Sequence, residues 1–316
     1  MLELYRSSGF REVRNSSLTV VPPSDLETNS VFVLGIRLVT VPLLNRMPST
    51  SIKKMMSSTS LDASTVVAKS GSTHALEIMY TRYHRKLFAR GLWQGLADLF
   101  WHHVVAQPKA LRNRLKTVRH ILKTESLRLI QERQRRGVSQ SVRILSIAGG
   151  SSRSIIQMVV DLKIEGLDHP HMNYPLEVIV VDKDQSALDI GEQIARQAGV
   201  AEHFQWVCAA ARNIRELSSW KTFDLIEIVG LMDYLSEVRA IKLLKGAREV
   251  LNESGVLVAA NVMPNAEMPF VYKTGWPRMV YRTPSAFRAL YDACDFSKTE
   301  ITVEPLRIHC VAVARK

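Results

Sequence analysis

Small and acidic side chains at strand ends are the residues of this chain best suited to chemistry. In ILSIAGGSSRS, Ile144 to Ser154, a hydrophobic run passes into small residues and then into a helix pattern. Such a turn lets backbone amides and a helix N-terminus come close to a ligand. The spacing is not G-x-G-x-x-G, and a plain tight strand-to-helix turn would carry the same residues. In LEVIVVDKD, Asp182 ends a second strand pattern, where a carboxylate can accept both hydrogen bonds of a ribose diol. Asp184, just before QSALDIG, suits the helix N-cap better, which leaves Asp182 for a ligand.

Asp233 and Tyr234 follow the run FDLIEIV, at the strand edge where open α/β sheets bind ligands; helix capping and core packing are their plainer roles. Further along, Arg282 beside Tyr281 could clamp a carboxylate with two parallel hydrogen bonds, or form a surface ion pair. His102 and His103 adjoin Phe100 and Trp101. Adjacent helical residues point about 100° apart, so at most one histidine faces a given site, and a packed histidine is the plainer reading of each. His169 and His171 share a loop with Asp168, but no further ligands gather there and no metal site is expected.

These residues need a scaffold, and the pattern supplies one. VRILSIA, LEVIVVD, FQWVCAA, FDLIEIV and GVLVAANV read as strands, with helical segments between them; a helix, TPSAFRALYDACDF, and the strands KTEITVEP and RIHCVAVAR follow. Regular alternation of this kind implies an α/β fold with a mainly parallel sheet covered on both faces.

From residue 140 or so to 316 the chain resembles the class I S-adenosylmethionine-dependent methyltransferases. Their first motif, D-x-G-x-G-x-G, is matched by SIAGGSS, with Ser146 at the acidic position and Ala148 and Ser152 at the first and last glycines. Asp182 matches the acidic tip of strand two, and FDLIEIVGLMDYL the fourth motif. In VCAAARN, Ala210 stands where many members place an Asp against adenine. The resemblance implies a seven-stranded Rossmann-like sheet and S-adenosylmethionine as cofactor. By that resemblance the cofactor is held by Ala148, Gly149, Gly150, Ser151, Asp182, Lys183, Ala210, Ala211 and Gly230. GLMDYL and the later YRT also resemble a bacterial subgroup, some of whose members make methyl esters of 3-hydroxy fatty acids.

Methyl transfer from a sulfonium is an in-line displacement that needs near-attack geometry in a dry site. The implied acceptor is a small molecule offering a carboxylate or hydroxyl, fatty-acid-like or a secondary metabolite. Asp233 and Tyr234 are the expected catalytic residues, and Tyr281 and Arg282 the expected substrate contacts. A carboxylate acceptor is already ionised, whereas a hydroxyl gains from a base.

The 316 residues carry 42 Lys plus Arg against 30 Asp plus Glu, a formal charge of +12. Residues 73–137 hold 14 basic and 4 acidic residues, so the excess sits on one helical stretch ahead of the balanced region 138–316. In that stretch Leu111, Leu115, Val118, Leu122 and Leu129 form one apolar stripe, and Pro108 is placed to open the helix. Its cations Arg112, Arg114, Lys116 and Arg119 suggest an alternative, an RNA methyltransferase with a phosphate-tracking face. The altered motifs leave a third reading, a non-catalytic cofactor-binding scaffold. The same block could serve as a lid over the acceptor or as a homodimer contact.

Ahead of it, LELYRSSGF resembles the C-terminal helix end of GNAT-type acyltransferases, and residues 1–45 are expected to form a short helix and a hairpin. The run VFVLGIRLVTVPLL, Val31 to Leu44, is broken by Arg37 and falls short of the ~20 residues of a membrane helix. It reads as a strand, and Ser/Thr/Met-rich residues 46–72 read as a linker. Three cysteines without a CxxC pair, and no secretory leader pattern, point to a soluble cytoplasmic protein.

Overall fold

A computed structural model describes residues 23–84, 91–168, 176–214 and 222–316. The expected strands form one seven-stranded sheet. They are β1 (Val142–Ile147), β2 (Leu176–Asp182), β3 (Phe204–Cys208), β4 (Phe223–Ile228), β5 (Leu251–Val262), β6 (Lys298–Val303) and β7 (His309–Arg315). The order is β3-β2-β1-β4-β5-β7-β6; the first five run parallel, and β7 is antiparallel to both neighbours.

Alternate residues feed two cores because strand side chains point to opposite faces. Ile144, Val178, Val180, Leu225 and Val258 face one layer, and Leu145, Val181, Ile226, Leu257 and Ala312 the other. The first layer contains α6 (Ala106–Arg135), α7 (Arg153–Asp168) and α8 (Gln185–Gln197). The second contains α9 (Glu237–Val250) and α11 (Pro284–Asp292). The stripe residues Val118, Leu122 and Leu129 of α6 lie in the sheet core, so this basic helix is a wall of the sheet and not a separate appendage.

Two expectations for the N-terminal third are overturned. VFVLGIRLVTVPLLNR is a helix, α1 (Val31–Arg46), opened by the Ser30 hydroxyl, which accepts a hydrogen bond from Val33 N. Its inward groups Arg37, Val41 and Leu44 recur at helical spacing: Arg37 donates to Val104 O, and Val41 and Leu44 are buried. The presumed linker is likewise ordered, as α2 (Ser49–Thr59) and α3 (Leu61–Ala68), with Ser60 capping α3 through Ala63 N. Ile52 and Met56 of α2 pack with Ala63 and Val66 of α3 in a third core, completed by α4 (Thr73–Thr81) and α10 (Met268–Lys273). The LELYRSSGF segment lies outside the described residues. From α5 (Leu92–Leu99) the chain passes through a π-helical turn, Phe100–Val104, into α6.

Candidate active site

The turn after β1 has the conformation its altered motif hides. Ala148, Gly150 and Ser152 have φ of 52°, 54° and 49°, so every second residue is left-handed, at the three positions where the resembled pattern has glycine. Gly149 N donates to Val181 O (3.2 Å) and Ser152 N to Gly149 O (2.7 Å), closing the loop. A Cβ on Gly149 would lie 2.3 Å from Ser146 Oγ, which explains that glycine. Asp182 Oδ2 accepts from Gly150 N (2.9 Å) and Oδ1 from Asp184 N (2.9 Å). Asp184 is the N-cap of α8, accepting from Ser186 N.

The nine residues named above between Ala148 and Gly230 all line one cavity of about 450 Å³ at the C-terminal ends of β1, β2 and β4. Clefts of roughly 300–1,000 Å³ hold cofactor-sized ligands. Tyr234 also lines it, and at its inner wall stands Glu227 of β4, buried and accepting from Ser146 Oγ and Ser154 Oγ (2.5 Å each).

A second, smaller cavity of about 90 Å³ adjoins the first, sharing Gly230, Tyr234 and Arg114. Its walls are largely apolar, with Met79, Trp101, Leu111 and Phe270 among them. Arg114, Asp233 and His309 supply polarity, and all three are buried. Arg114 Nη2 donates to Tyr80 Oη (3.1 Å), and Nη1 lies 3.7 Å from Asp233 Oδ2. Asp233 Oδ1 accepts from Val262 N (2.7 Å). Burial pushes the Asp233 carboxyl above its ordinary range, with Arg114 opposing. Burial, helped by the Arg114 charge, drives His309 well below the usual histidine range and keeps it neutral. Among the described residues, Arg114 Nε, Trp101 Nε1 and both ring nitrogens of His309 have no hydrogen-bond partner. Tyr234 Oη accepts from Trp276 Nε1 (2.9 Å), and burial raises its hydroxyl to about 12.

The other expected groups lie elsewhere. Arg282 lines neither cavity: it donates to Met232 O (2.9 Å), Asn261 Oδ1 (2.6 Å) and Leu235 O (2.6 Å), so its guanidinium is already engaged and is no free carboxylate clamp. It fastens the loop that carries Asp233. Tyr281 packs beside Ala106, Val262 and Ile308, with its hydroxyl raised to about 12 by burial. His102 is buried on Asp62 Oδ2 (3.1 Å) and His103 tilts against Tyr83; of Phe100, Trp101, His102 and His103 only Trp101 reaches the smaller cavity.

Nor do the cations of α6 form a phosphate-tracking face. Arg112 is buried in a bidentate pair with Glu27 (2.6 and 2.7 Å), Arg119 pairs with Asp161, and Lys116 lies 3.2 Å from Asp25. Arg114 is the residue this view of the helix misplaces. It falls at i+3 from Leu111 and i−4 from Val118, on the apolar stripe, and a cation there signals a buried role. Among the described residues no His, Cys, Asp or Glu cluster could hold a metal, and no helix is long and apolar enough to cross a membrane.

With this geometry in place, comparison with known proteins is decisive. A family model of the ubiE/COQ5 methyltransferase family matches residues 118–276, from mid-α6 to the segment after α10. The chain belongs to the ubiE/COQ5 methyltransferase family. It is therefore a methyltransferase, with S-adenosylmethionine as its cofactor. A search of curated proteins finds no match. Among solved structures, a protein from Bordetella parapertussis described as a possible exported protein superposes with a TM-score of 0.57 at 16% identity. The match covers 76% of this chain and 79% of that one, and supports the sheet topology. Magnesium protoporphyrin IX methyltransferase from Synechocystis has a TM-score of 0.44 at 12% identity, over 78% of this chain and 100% of that one.

Proposed function

We propose that the larger cavity holds S-adenosylmethionine, that the smaller one holds the acceptor, and that the product is methylated on a carboxylate or hydroxyl oxygen of a small, largely apolar molecule. The observation that carries this reading is the meeting of two unlike cavities at Gly230 and Tyr234. One is ringed by small residues and a strand-end carboxylate. The other is apolar, with polar atoms lacking partners.

The residues fit the cofactor. The left-handed loop from Ala148 to Ser152 leaves room for close backbone approach, Asp182 suits the ribose diol, and Ala210 and Ala211 offer a small apolar surface to the adenine. When bound, the sulfonium supplies an electrophilic methyl carbon. Arg114 and His309 then hold the acceptor oxygen by donors that have no other use, while Trp101, Met79 and Phe270 exclude water. For a hydroxyl acceptor, Asp233 Oδ2 receives the proton, and its raised affinity for protons suits it to that role. For a carboxylate acceptor no proton moves.

The test pairs binding with product identification. Calorimetry should show saturable S-adenosylmethionine and S-adenosylhomocysteine binding that Asp182→Ala removes. Cell extract incubated with methyl-labelled cofactor should yield a labelled ester or ether of low molecular mass. Arg114→Met should raise the acceptor KM at unchanged S-adenosylhomocysteine affinity. Label confined to RNA or protein would refute the acceptor assignment.

A further inference from the structure

Glu227 is a buried carboxylate with no ion-pair partner among the described residues. Burying an ion without an opposite charge is costly, and most of the other buried acids among the described residues avoid that cost; Asp98, held by the Ser60 hydroxyl and the Gln94 amide, shares the trait but lines neither cavity. Asp62 meets Arg82, Glu125 meets Arg315 and Arg128, Asp224 meets Arg133, and Glu267 meets Arg37. Glu304 instead collects the backbone N–H groups of Leu306 and Ile308 and the Asn113 amide. Glu227 is 2% exposed, accepts from two neutral hydroxyls, and has no ion-pair partner among the described residues. The guanidinium of Arg114 acts on it only at longer range and is itself engaged with Tyr80 and Asp233.

Its position explains the missing cation. Glu227 lies beside Ser146 in the parallel register of β1 and β4, and Ser146 occupies the acidic position of the first motif. Ser146 and Ser154 aim their hydroxyls at its two oxygens, fixing the carboxylate at the inner wall of the larger cavity. The other carboxylates lining that cavity, Asp182 and Asp184, are less buried and stand at the end of β2. On the reading that this cavity holds S-adenosylmethionine, the ligand carries a primary ammonium on its amino-acid arm and an adenosine at the other end.

We infer that Glu227 is the cofactor's ammonium-binding residue, a carboxylate carried on β4 in place of the acid that Ser146 replaces on β1. Ser146 and Ser154 act as positioning residues that hold it. Glu227 thereby selects ligands with a cationic amino-acid arm, while Asp182 serves the ribose that all adenosyl ligands share.

The test compares two ligands on the full-length protein by calorimetry. S-adenosylhomocysteine has the amino-acid arm; 5′-methylthioadenosine has the same adenosine and thioether but lacks the arm. Glu227→Gln preserves volume and should weaken S-adenosylhomocysteine by about 10- to 100-fold, the loss expected for a hydrogen bond to a charged group. It should leave 5′-methylthioadenosine within twofold. Asp182→Asn should weaken both ligands alike. Ser146→Ala and Ser154→Ala should each shift the ratio of the two affinities in the same direction as Glu227→Gln, by less. Equal loss of both ligands in Glu227→Gln, or unchanged S-adenosylhomocysteine affinity, overturns the assignment. If the unaltered protein binds neither ligand, the placement of the cofactor in this cavity fails first, and that outcome is separate from either of the others.

Discussion

Replacing Ala148 by glycine should leave this protein as stable as before or more so, against the usual effect of that change. At φ 52° a Cβ crowds the neighbouring carbonyl oxygen, which costs roughly 1–2 kcal/mol. Glycine removes that crowding but adds unfolded-state freedom worth about 0.5–1 kcal/mol. The net is a gain between about zero and 1.5 kcal/mol. Ser152→Gly follows the same arithmetic at φ 49°, and the Ser152 hydroxyl, which has no hydrogen-bond partner among the described residues, gives up no bond to them. The control is Ala289→Gly, at an exposed position inside α11, which should cost about 1 kcal/mol. Gly150→Ala reverses the argument: φ is 54° and the new Cβ would lie 2.7 Å from Thr73 Oγ1, so a loss of about 1–3 kcal/mol is expected. Thermal unfolding should separate Ala148→Gly from Ala289→Gly by roughly 2–5 °C for a chain of this size. Equal destabilisation by these two changes would show that the left-handed turn is not a property of the folded protein.

Three further outcomes follow from the same contacts. Arg112→Ala leaves Glu27 without its bidentate partner and removes the guanidinium from over the Tyr83 ring, 4.0 Å from its centroid; urea unfolding should show a loss of about 3–5 kcal/mol, against less than about 1 kcal/mol for Arg119→Ala in its half-exposed pair with Asp161. Burial pushes Glu125 up, but hydrogen bonds and charges from Arg315 and Arg128 together hold it below its ordinary 4.5. Its contribution to stability is therefore complete above pH 4.5 and lost as pH falls through the lower folded value, and Glu125→Gln should flatten that acid limb in urea midpoints measured from pH 3 to 7. Asp233→Asn divides the acceptor classes: kcat should fall by about 10²–10⁴ for a hydroxyl acceptor and by less than about tenfold for a carboxylate.

The sheet was readable from sequence because its strands are short apolar runs buried on both faces, separated by helices with their own caps, and no other arrangement covers so many such runs. The N-terminal third was not. VFVLGIRLVTVPLL is apolar at almost every position, so period alone could not separate strand from helix. Its length, 14 residues in the run and 16 in the helix it forms, was the better guide, since strands seldom exceed ten. Residues 46–72 hide their packing in a thin signal, with Ile52 and Met56 one helical turn apart amid serines and threonines. Arg282 shows a further limit. Its guanidinium satisfies two backbone carbonyls and an amide oxygen, and such partners leave no trace in composition or spacing.

The first motif shows why comparison by columns understates this site. Two of its glycines and its acid are replaced, and counted position by position the loop looks degraded. In three dimensions each requirement is met by another means. Ala148 and Ser152 adopt the left-handed conformation that glycine would adopt, with strain borne by the surrounding contacts: Gly149 N on Val181 O, Gly150 N on Asp182 and Ser152 N on Gly149 O. The carboxylate absent at Ser146 stands one strand away at Glu227, and the serine that replaced it now holds the relocated acid. A loop released from its function would relax out of left-handed alanine and serine, because nothing would offset about 1 kcal/mol at each. The strained turn and the unmatched buried acid thus argue together for a site still shaped around its ligand.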